Sequence, residues 1–462
     1  MRSRKYIIYA LILIVLAAYY AYFEVYLNKK KQQQEEKDKS VFSVLAKDID
    51  QIKVTRIDEG EIVLVREGTD WSITKPVQAG ADKTEVEGLL NQIEKLKRER
   101  LAGENVGDVA QYGLTEPKLK VAFHHESKWS EIQFGDVNPV SNEVYARQAD
   151  GDKVFLIAAG DYQLVDKSLF KLRDKRIFTV QSDQVDGVDV KKGQFQARLE
   201  RAKEGKDQGW RLVGNEGFRV KKDKVEDFIR SLSLLRVSAF EDETDKNVST
   251  YGLDKPNATV TLKQGEESQT MILGASRPEG GGIYAKLVGK PSVTRIEERY
   301  FNEIPGEVCA FEDRSLFAFE EDQVQRMVWK LSNNEYELKR VKEDWIFVRP
   351  KELKDKKVEP WKANYVSWKL KTMEFSSEAM EPEIAGSQTA WSVMLSGAED
   401  RQIASLVCLS GENPTDSSKE GLIKVQTQGG EKAYKVDGES LNEIEKKIKE
   451  LGEIEKNGKP AV

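Results

Sequence analysis

The sequence predicts an α+β protein in which an N-terminal transmembrane helix is followed by three tandem modules. Each module is expected to be an antiparallel sheet with one main helix packed on it. Three observations predict this fold: an apolar run over residues 6–23, a Tyr-Gly-Leu motif that returns 139 residues later, and alternating apolar stretches around one helical pattern per copy. The 462 residues leave room for about three domains of ~150 residues.

The first element is a basic tip followed by the apolar run. Three of the first five residues are Arg or Lys, and apolar character resumes after Glu24 as far as residue 27. At 1.5 Å per residue, a helix over residues 6–23 just crosses a hydrocarbon layer of ~30 Å. Residues 1–28 are therefore predicted to form a cytoplasmic tip and a membrane anchor through residues 6–27. A cleaved signal peptide is the alternative, which the bulky residues 19–23 disfavour.

Residues 29–48 are mostly polar and predict a stalk. Lysines at positions 29–31 also flank the far side of the span, so positive charge lies on both sides of it. We expect the short basic end to stay in the cytoplasm, because it precedes the span directly. This orientation predicts a single-pass protein of the inner membrane with the bulk of the chain outside the cytoplasm.

A repeat with an ungapped offset of 139 residues organises the rest of the chain. The offset predicts module 1 over residues 49–180 and module 2 over residues 184–318. It superposes these pairs: Tyr112 on Tyr251, Gly113 on Gly252, Leu114 on Leu253, Pro117 on Pro256, Trp71 on Trp210 and Gly135 on Gly274.

Within module 1 the elements follow from apolar spacing. Residues 52–57 and 62–65 predict a hairpin, and 119–123, 131–134, 144–147 and 154–157 predict strands before a closing amphipathic segment at 162–172. The helix is predicted by one apolar face: Val86, Leu89, Leu90, Ile93 and Leu96. Module 2 repeats that face as Val225, Phe228, Ile229, Leu232 and Leu235. Capping boxes are predicted at Asp82 with Glu85 and at Asp223 with Glu226.

Module 3, residues 324–451, is predicted as a divergent copy, followed by a loose tail over residues 452–462. Trp345 and Pro350 match Trp71 and Pro76 in spacing, but the Tyr-Gly-Leu motif is lost. Its helix is predicted by four apolar residues at helical spacing: Ala363, Val366, Leu370 and Met373.

The repeated residues are interpreted as structural. A Gly can adopt positive φ and a Pro fixes φ, while the neighbouring Tyr and Leu can fill the seam between helix and sheet. A Trp that opens a short strand in every copy is more often a core side chain than a ligand contact. A ligand platform at the Tyr-Gly-Leu motif is the weaker alternative.

Module 3 contains five of the eight Trp residues, although it has lost the common motif. Trp361, Trp368 and Trp391 are therefore the candidate binding surface, for a glycan or a protein. Packing of these side chains into the core is the alternative interpretation.

Catalytic, metal and cofactor signatures are not predicted. His124 and His125 are adjacent in a predicted strand and so face opposite ways, which disfavours a shared metal. The pattern Ser168-x-x-Lys171 is short enough to arise by chance. Cys309 and Cys408 lie in different modules, and two unpaired thiols are favoured over a disulfide. A net charge of −6 with 73 basic and 79 acidic residues interspersed disfavours nucleic acid as a partner.

The anchor, followed by tandem units of Trp, a capped helix and Tyr-Gly-Leu-x-x-Pro, resembles the bacterial family called domain of unknown function 4340. The residues that carry the resemblance are 71–117 and 210–256, with 345–350 as a weaker third instance. The resemblance implies a single-span envelope protein, encoded near an ABC transporter and a gliding-motility-type auxiliary protein. It implies no catalytic residues and no cofactor.

These observations lead to one hypothesis and two alternatives. The leading one is a non-enzymatic accessory subunit that binds an ABC-type permease and auxiliary envelope proteins. The first alternative is an envelope polysaccharide-binding protein that uses the module 3 tryptophans. The second is an envelope hydrolase, which would need two carboxylates ~5–10 Å apart in a cleft.

Overall fold

The computed structural model describes residues 2–23, 29–30, 38–103, 108–202, 209–380, 384–410, 420–427 and 430–453. Parts of three sequence predictions lie outside these residues: the end of the anchor (24–28), the middle of the stalk (31–37) and the tail from residue 454 onward. The described chain forms two compact units, residues 1–196 with 228–306 and residues 197–227 with 307–462.

The N-terminus is a helix, α1 (Arg2–Tyr20), and the side chains of residues 9–23 are exposed. The sequence predicted a transmembrane helix here. Among the described residues, no helix is long and apolar enough to cross a membrane.

The first sheet has nine antiparallel strands in the order β4-β3-β2-β1-β6-β7-β8-β9-β5. Strands β2, β3 and β4 follow one another outward on one side of β1, and β6, β7, β8, β9 and β5 lie on its other side. The bounds are β1 (Ile49–Arg56), β2 (Gly60–Glu67), β3 (Asp70–Lys75), β4 (Ala79–Gly80), β5 (Arg100–Gly103), β6 (Leu119–His125), β7 (Lys128–Val137), β8 (Val144–Gln148) and β9 (Val154–Ile157). The predicted hairpin and all four predicted strands are confirmed within a few residues.

One helix, α2 (Lys83–Lys95), packs on this sheet. Its predicted apolar face is confirmed, since Val86, Leu89, Leu90 and Ile93 are buried in the core that the strands share. Asp82 caps it by accepting a hydrogen bond from the Glu85 backbone N–H at 3.2 Å. The predicted closing segment is two short helices, α3 (Ala159–Val165) and α4 (Leu169–Leu172).

The end of the predicted stalk belongs to this first core. Val44 is buried with the core residues, Phe42 packs against them, and the Val41 backbone N–H donates to the Leu96 carbonyl at 2.9 Å. The predicted boundary at residue 48 is therefore too late, because apolar residues within the stalk are drawn onto the sheet.

In the first unit, the second sheet has antiparallel strands in the order β10-β14-β15-β16-β17-β13. The first unit contains β10 (Gly187–Lys192), β13 (Ala239–Asp242), β14 (Ala258–Gln264), β15 (Glu267–Ser276), β16 (Ile283–Leu287), β17 (Val293–Ile296) and α6 (Glu298–Glu303). In the second unit, β11 (Phe195–Arg201) pairs with β12 (Trp210–Leu212).

The helix of module 2, α5 (Lys222–Leu234), buries the predicted face. Those buried side chains are Val225, Phe228, Ile229, Leu232 and Leu235. The predicted cap at Asp223 is wrong, because Asp223 lies within the first turn of the helix. The residue equivalent to Asp82 at the 139-residue offset is Lys221.

The third sheet lies in the second unit and repeats the strand order of the first, as β21-β20-β19-β18-β23-β24-β25-β26-β22. Its strands are β18 (Arg326–Leu331), β19 (Asn334–Val341), β20 (Asp344–Arg349), β21 (Lys357–Val358), β22 (Phe375–Glu378), β23 (Gln388–Ser396), β24 (Gln402–Ser410), β25 (Glu420–Thr427) and β26 (Gly430–Asp437).

Two helices share the core of this third sheet, α7 (Pro360–Thr372) and α8 (Gly438–Gly452). The predicted residues of α7, namely Ala363, Val366 and Leu370, are buried, as is Met373 just after it. The sequence predicted one main helix per module. Helix α8 follows β26 as α3 and α4 follow β9, so it corresponds to the closing segment of module 1. The fold is thus α+β, with three antiparallel sheets and few helices.

Candidate functional site

Each of the first two modules is followed by a connecting segment, and the two segments form the same pattern of backbone hydrogen bonds. After module 1, the Asp174 N–H donates to Gly80 at 2.9 Å, the Asp82 N–H to Leu172 at 2.8 Å and the Val237 N–H to Lys175 at 2.8 Å. After module 2, the equivalent donors and acceptors are Asp313 to Arg219 at 2.7 Å, Lys221 to Phe311 at 2.9 Å and Phe375 to Arg314 at 3.0 Å. The duplication therefore extends from the sheets to the way the chain leaves them. We call residues 173–178 the first junction and residues 312–317 the second junction.

An aspartate fixes the turn in each junction. Asp174 accepts hydrogen bonds from the backbone N–H of Arg176 at 3.0 Å and from its guanidinium at 2.6 Å. Burial opposes ionisation of Asp174, but these bonds outweigh it and hold its pKa below the ordinary value. Asp313 is held in the same way: burial is outweighed by hydrogen bonds from Ser315 and Arg219, and its pKa is again lowered.

The first junction forms one wall of a cleft of about 510 Å³, which lies within the first unit. Residues 78–80 and 173–179 contribute that wall, while residues 237–240, 268–269 and 287–294 contribute the other. Ligand sites commonly have volumes of about 300–1,000 Å³ and occur where two modules meet. The cleft is therefore of a size that accepts a small ligand or a peptide side chain.

Arg173 is the main charged group of this cleft and is only 5% exposed. Its guanidinium carbon lies 3.5 Å from the centre of the Phe240 ring. One terminal nitrogen is 2.5 Å from a Glu243 carboxylate oxygen, and the other donates to the Ser292 hydroxyl at 2.7 Å. Because Glu243 neutralises Arg173 and Arg176 pairs with Asp174, binding here would depend on shape, hydroxyls and amides more than on net charge.

The two Tyr-Gly-Leu motifs form the same turn. Gly113 and Gly252 end short 3₁₀ turns with φ of 66° and 68°, in the left-handed region, and the following Leu114 and Leu253 are buried. The ring of Tyr112 lies 4.9 Å from that of Tyr145. In the second copy the equivalent Tyr251–Tyr284 distance is also 4.9 Å. Pro117 is buried and Pro256 exposed.

The tryptophans that open β3, β12 and β20 are buried: Trp71, Trp210 and Trp345. The Trp345 indole N–H donates to the Asn364 side chain at 2.9 Å. Pro76 and Pro350, which follow β3 and β20, have cis peptide bonds. None of these residues lines the cleft.

The candidate surface of module 3 is split by the structure. Trp361 and Trp368 are 56% and 44% exposed and lie seven residues apart on α7, so they share a face. Trp391 is only 2% exposed and belongs to the core of the third sheet. Trp391 therefore cannot contribute to an exposed surface, because it lies on the inner side of β23.

The candidate catalytic and thiol groups are dispersed. His124 Nδ1 lies 2.6 Å from Asp50 and His125 Nε2 lies 3.1 Å from the Ser130 hydroxyl, so the two rings have separate partners. Ser168 caps α4 by accepting from the Lys171 backbone N–H at 3.2 Å. Over the described ranges, no group of three His, Cys, Asp or Glu side chains is placed to hold a metal ion.

Both cysteines are free, with Cys408 buried and Cys309 half-buried. Burial raises the pKa of the Cys408 thiol to about 12. Burial and the nearby Glu307 also raise the pKa of Cys309. Neither thiol has the environment of a reactive nucleophile, which needs a lowered pKa.

Sequence reasoning missed Trp129, which is 44% exposed on β7 of the first sheet. The alternation of polar and apolar residues along this strand could have indicated that Trp129 lies on the exposed face. Trp129 shares its parity with the polar residues Glu131 and Gln133, whereas the buried Ile132 and Phe134 have the opposite parity.

Three antiparallel sheets and two equivalent junctions define a tandem-repeat α+β protein. Residues 71–209 and 210–388 each match the family model described as Domain of unknown function (DUF4340). The chain belongs to this family. The two matches begin at Trp71 and Trp210, so they repeat with the same 139-residue offset as the structure. A comparison with curated proteins gives no match.

Proposed function

We propose that the protein is an extracytoplasmic accessory protein that binds an ABC-type permease and its auxiliary envelope proteins through the faces of its modules. The observation that carries this proposal is the tandem repetition with equivalent junctions. Repeated modules offer several related faces, and repeat proteins use such surfaces to bind other proteins. The resemblance that links this family to ABC-type transport supplies the class of partner.

The membrane part of the proposal depends on the N-terminal region. Three basic residues precede an apolar run, and the side chains of residues 9–23 are exposed. We propose that residues 6–27 hold the protein in the inner membrane as a single-pass anchor. The three sheets then lie outside the cytoplasm, beside the permease.

Crosslinking in intact cells tests the proposal. The full chain is crosslinked in place, extracted with mild detergent and purified, and its partners are identified by mass spectrometry. A permease and its ATPase should be enriched over a control preparation from a chain that lacks residues 1–28. Equal enrichment with and without residues 1–28, or no transporter subunit at all, contradicts the proposal.

A second candidate function is binding of envelope polysaccharide by module 3. It is favoured by the shared exposed face of Trp361 and Trp368, with the Tyr365 ring 5.6 Å from Trp368. The Lys447 ammonium lies 5.8 Å from the Trp361 ring, which adds a donor beside the aromatic surface. Trp361→Ala and Trp368→Ala should each weaken binding to purified envelope polysaccharide. Unchanged binding by both variants would remove this candidate.

A further inference from the structure

Trp129 is an exposed aromatic side chain that the repeat does not explain. At the 139-residue offset its counterpart is Ser268, whereas Trp71 has Trp210 as its counterpart. Its indole is 44% exposed and stands on the outer face of the first sheet, away from the core. Trp129 is outside the core and has no Trp counterpart in module 2. It therefore indicates a property of module 1 alone.

The outer face around Trp129 is concave. Ala122 on β6 pairs with Lys53 on β1 and with Glu131 on β7, so a small side chain lies between two long ones. Trp129 forms a wall of the resulting hollow, which has a volume of about 230 Å³. That volume lies below the range of about 300–1,000 Å³ that drug-sized ligands need. The hollow therefore fits a single ring.

The charged groups around the hollow are equal in number for the two signs, and its lysines form few interactions. Two lysines, Lys53 and Lys120, and two glutamates, Glu61 and Glu131, line it. The Lys53 ammonium lies 4.1 Å from the centre of the Trp129 ring. In the described chain, no ion pair or hydrogen bond is formed by the ammonium of Lys53 or Lys120, although both side chains are half-buried.

Each of the two glutamates has one polar contact outside the hollow. Glu61 lies 3.6 Å from the Lys75 ammonium, and Glu131 accepts one hydrogen bond from Gln133 at 2.7 Å. Each carboxylate can accept about four hydrogen bonds, so both retain acceptor capacity. The hollow thus combines an aromatic side chain, ammonium donors and carboxylate acceptors, with no net charge.

We propose that this hollow binds one ring of a neutral saccharide. The apolar C–H face of a pyranose can lie on the indole, which removes apolar surface from water. Its hydroxyls are both donors and acceptors, so they can accept from Lys53 and Lys120 and donate to Glu61 and Glu131. The lining carries two positive and two negative charges. A charged ring would therefore be repelled by either the two lysines or the two glutamates. This site is separate from the Trp361 and Trp368 surface and does not depend on the transport proposal.

The test is ¹⁹F NMR of the full chain labelled with 5-fluorotryptophan. The protein is titrated with cellotetraose, maltotetraose and fully N-acetylated chitotetraose up to about 10 mM, a range that detects dissociation constants near 1 mM. The Trp129 resonance is assigned by its loss in Trp129→Phe. At least one of these sugars should shift the Trp129 resonance in a saturable way and leave the Trp361 and Trp368 resonances unchanged. Lys120→Ala should weaken that binding by about tenfold, because a free donor is lost.

Ala122→Leu fills the floor of the hollow and should abolish the shift, while Trp361→Phe is the matched control and should retain it. If Ala122→Leu disturbs folding, the Lys120→Ala result decides instead, because Lys120 is half-buried and outside the core. The proposal is overturned if none of the three sugars shifts the Trp129 resonance. It is also overturned if the shifts occur at Trp361 or Trp368 alone, or if only an acidic oligosaccharide such as tetragalacturonate produces them.

Discussion

Replacing Gly135 by Ala should destabilise the first module because the Tyr112 turn passes directly over β7. A Cβ at Gly135 would lie under 3.0 Å from the Tyr112 carbonyl oxygen and 3.0 Å from the Gly113 carbonyl carbon. Both are backbone atoms, so no side chain can rotate to make room. Either β7 or the turn must move, and overpacking of this kind costs about 1–3 kcal/mol. We expect a value near the upper end, about 3 kcal/mol, because the overlap is with backbone.

Gly88→Ala is the matched control, with the opposite expected sign. Gly88 lies inside α2, is exposed, and has no atom within 4 Å of the added Cβ. An Ala in a helix interior is favoured over Gly by about 0.5–1 kcal/mol. The same chemical change should therefore stabilise the module at residue 88 and destabilise it at residue 135.

Hydrogen exchange read by mass spectrometry measures both effects locally, without requiring the whole chain to unfold in one step. In Gly135→Ala, protection of peptides from residues 108–137 should fall by about 100-fold, since each 1.4 kcal/mol is a factor of ten. Gly274→Ala should do the same to residues 248–276, because its Cβ would meet the Tyr251 carbonyl in the same way. Unchanged protection in both variants would refute the close approach of turn and strand.

Three further predictions test the cap, the thiols and the junctions. Asp82→Ala removes the hydrogen bond to the Glu85 N–H and should cost α2 about 1 kcal/mol, while Asp223→Ala, inside its helix, should cost α5 less; exchange of the two helices compares them. Because burial raises the pKa of Cys408 to about 12, Ellman's reagent at pH 8 should leave Cys408 unmodified in the native chain and react with two thiols after denaturation; rapid native reaction of Cys408 would contradict its burial. The pKa values of Asp174 and Asp313 are lowered by folding, so their stabilisation is complete above the ordinary Asp value of about 3.9 and is lost as the pH falls through the lower folded-state values. The urea midpoint should therefore drop between pH 6 and pH 3, and it should drop less in Asp174→Asn; an equal drop would show that Asp174 does not contribute.

Local periodicity predicted the regular elements well. The face of α2 was predicted because its apolar residues recur at helical spacing, and strand β9 was predicted at residues 154–157, the bounds it has in the structure. The 139-residue offset also predicted which glycines are equivalent, and the structure places both Gly135 and Gly274 under the turn of their own copy. These features could be predicted because they depend on residues close in the sequence or on the internal repeat.

The predictions for Asp223 and Trp391 were wrong because they relied on the type of residue and not on its position in the repeat or in the strand. Asp223 was predicted as a cap because Asp is a good cap residue, yet the offset already assigned that position to Lys221. Trp391 was assigned to a surface because module 3 is rich in Trp. The alternation of Trp391, Val393 and Leu395 instead predicts one buried side of a strand, which is what β23 shows.

The junction cleft could not be predicted from sequence. Arg173, Phe240 and Ser292 are far apart in the chain and belong to no motif, and they meet only because each junction returns to the sheet edge of the next module. The helix α8 has a clear apolar pattern at Leu441, Ile444, Ile448 and Leu451, and it follows β26 as α3 and α4 follow β9, but only one helix was predicted for module 3.

Site-resolved photo-crosslinking in intact cells tests the central claim most directly. A photoreactive residue is placed at one exposed position per module: Val140, which is 93% exposed, Val288, or Met380, which is 72% exposed. A probe at the buried Val121 is the control. If the protein is an accessory of a transport complex, at least one exposed probe should capture an ABC-type permease or its auxiliary protein, and the Val121 probe should capture neither. Failure of all three exposed probes to capture a transporter component, in cells where the chain is folded and outside the cytoplasm, would contradict the claim.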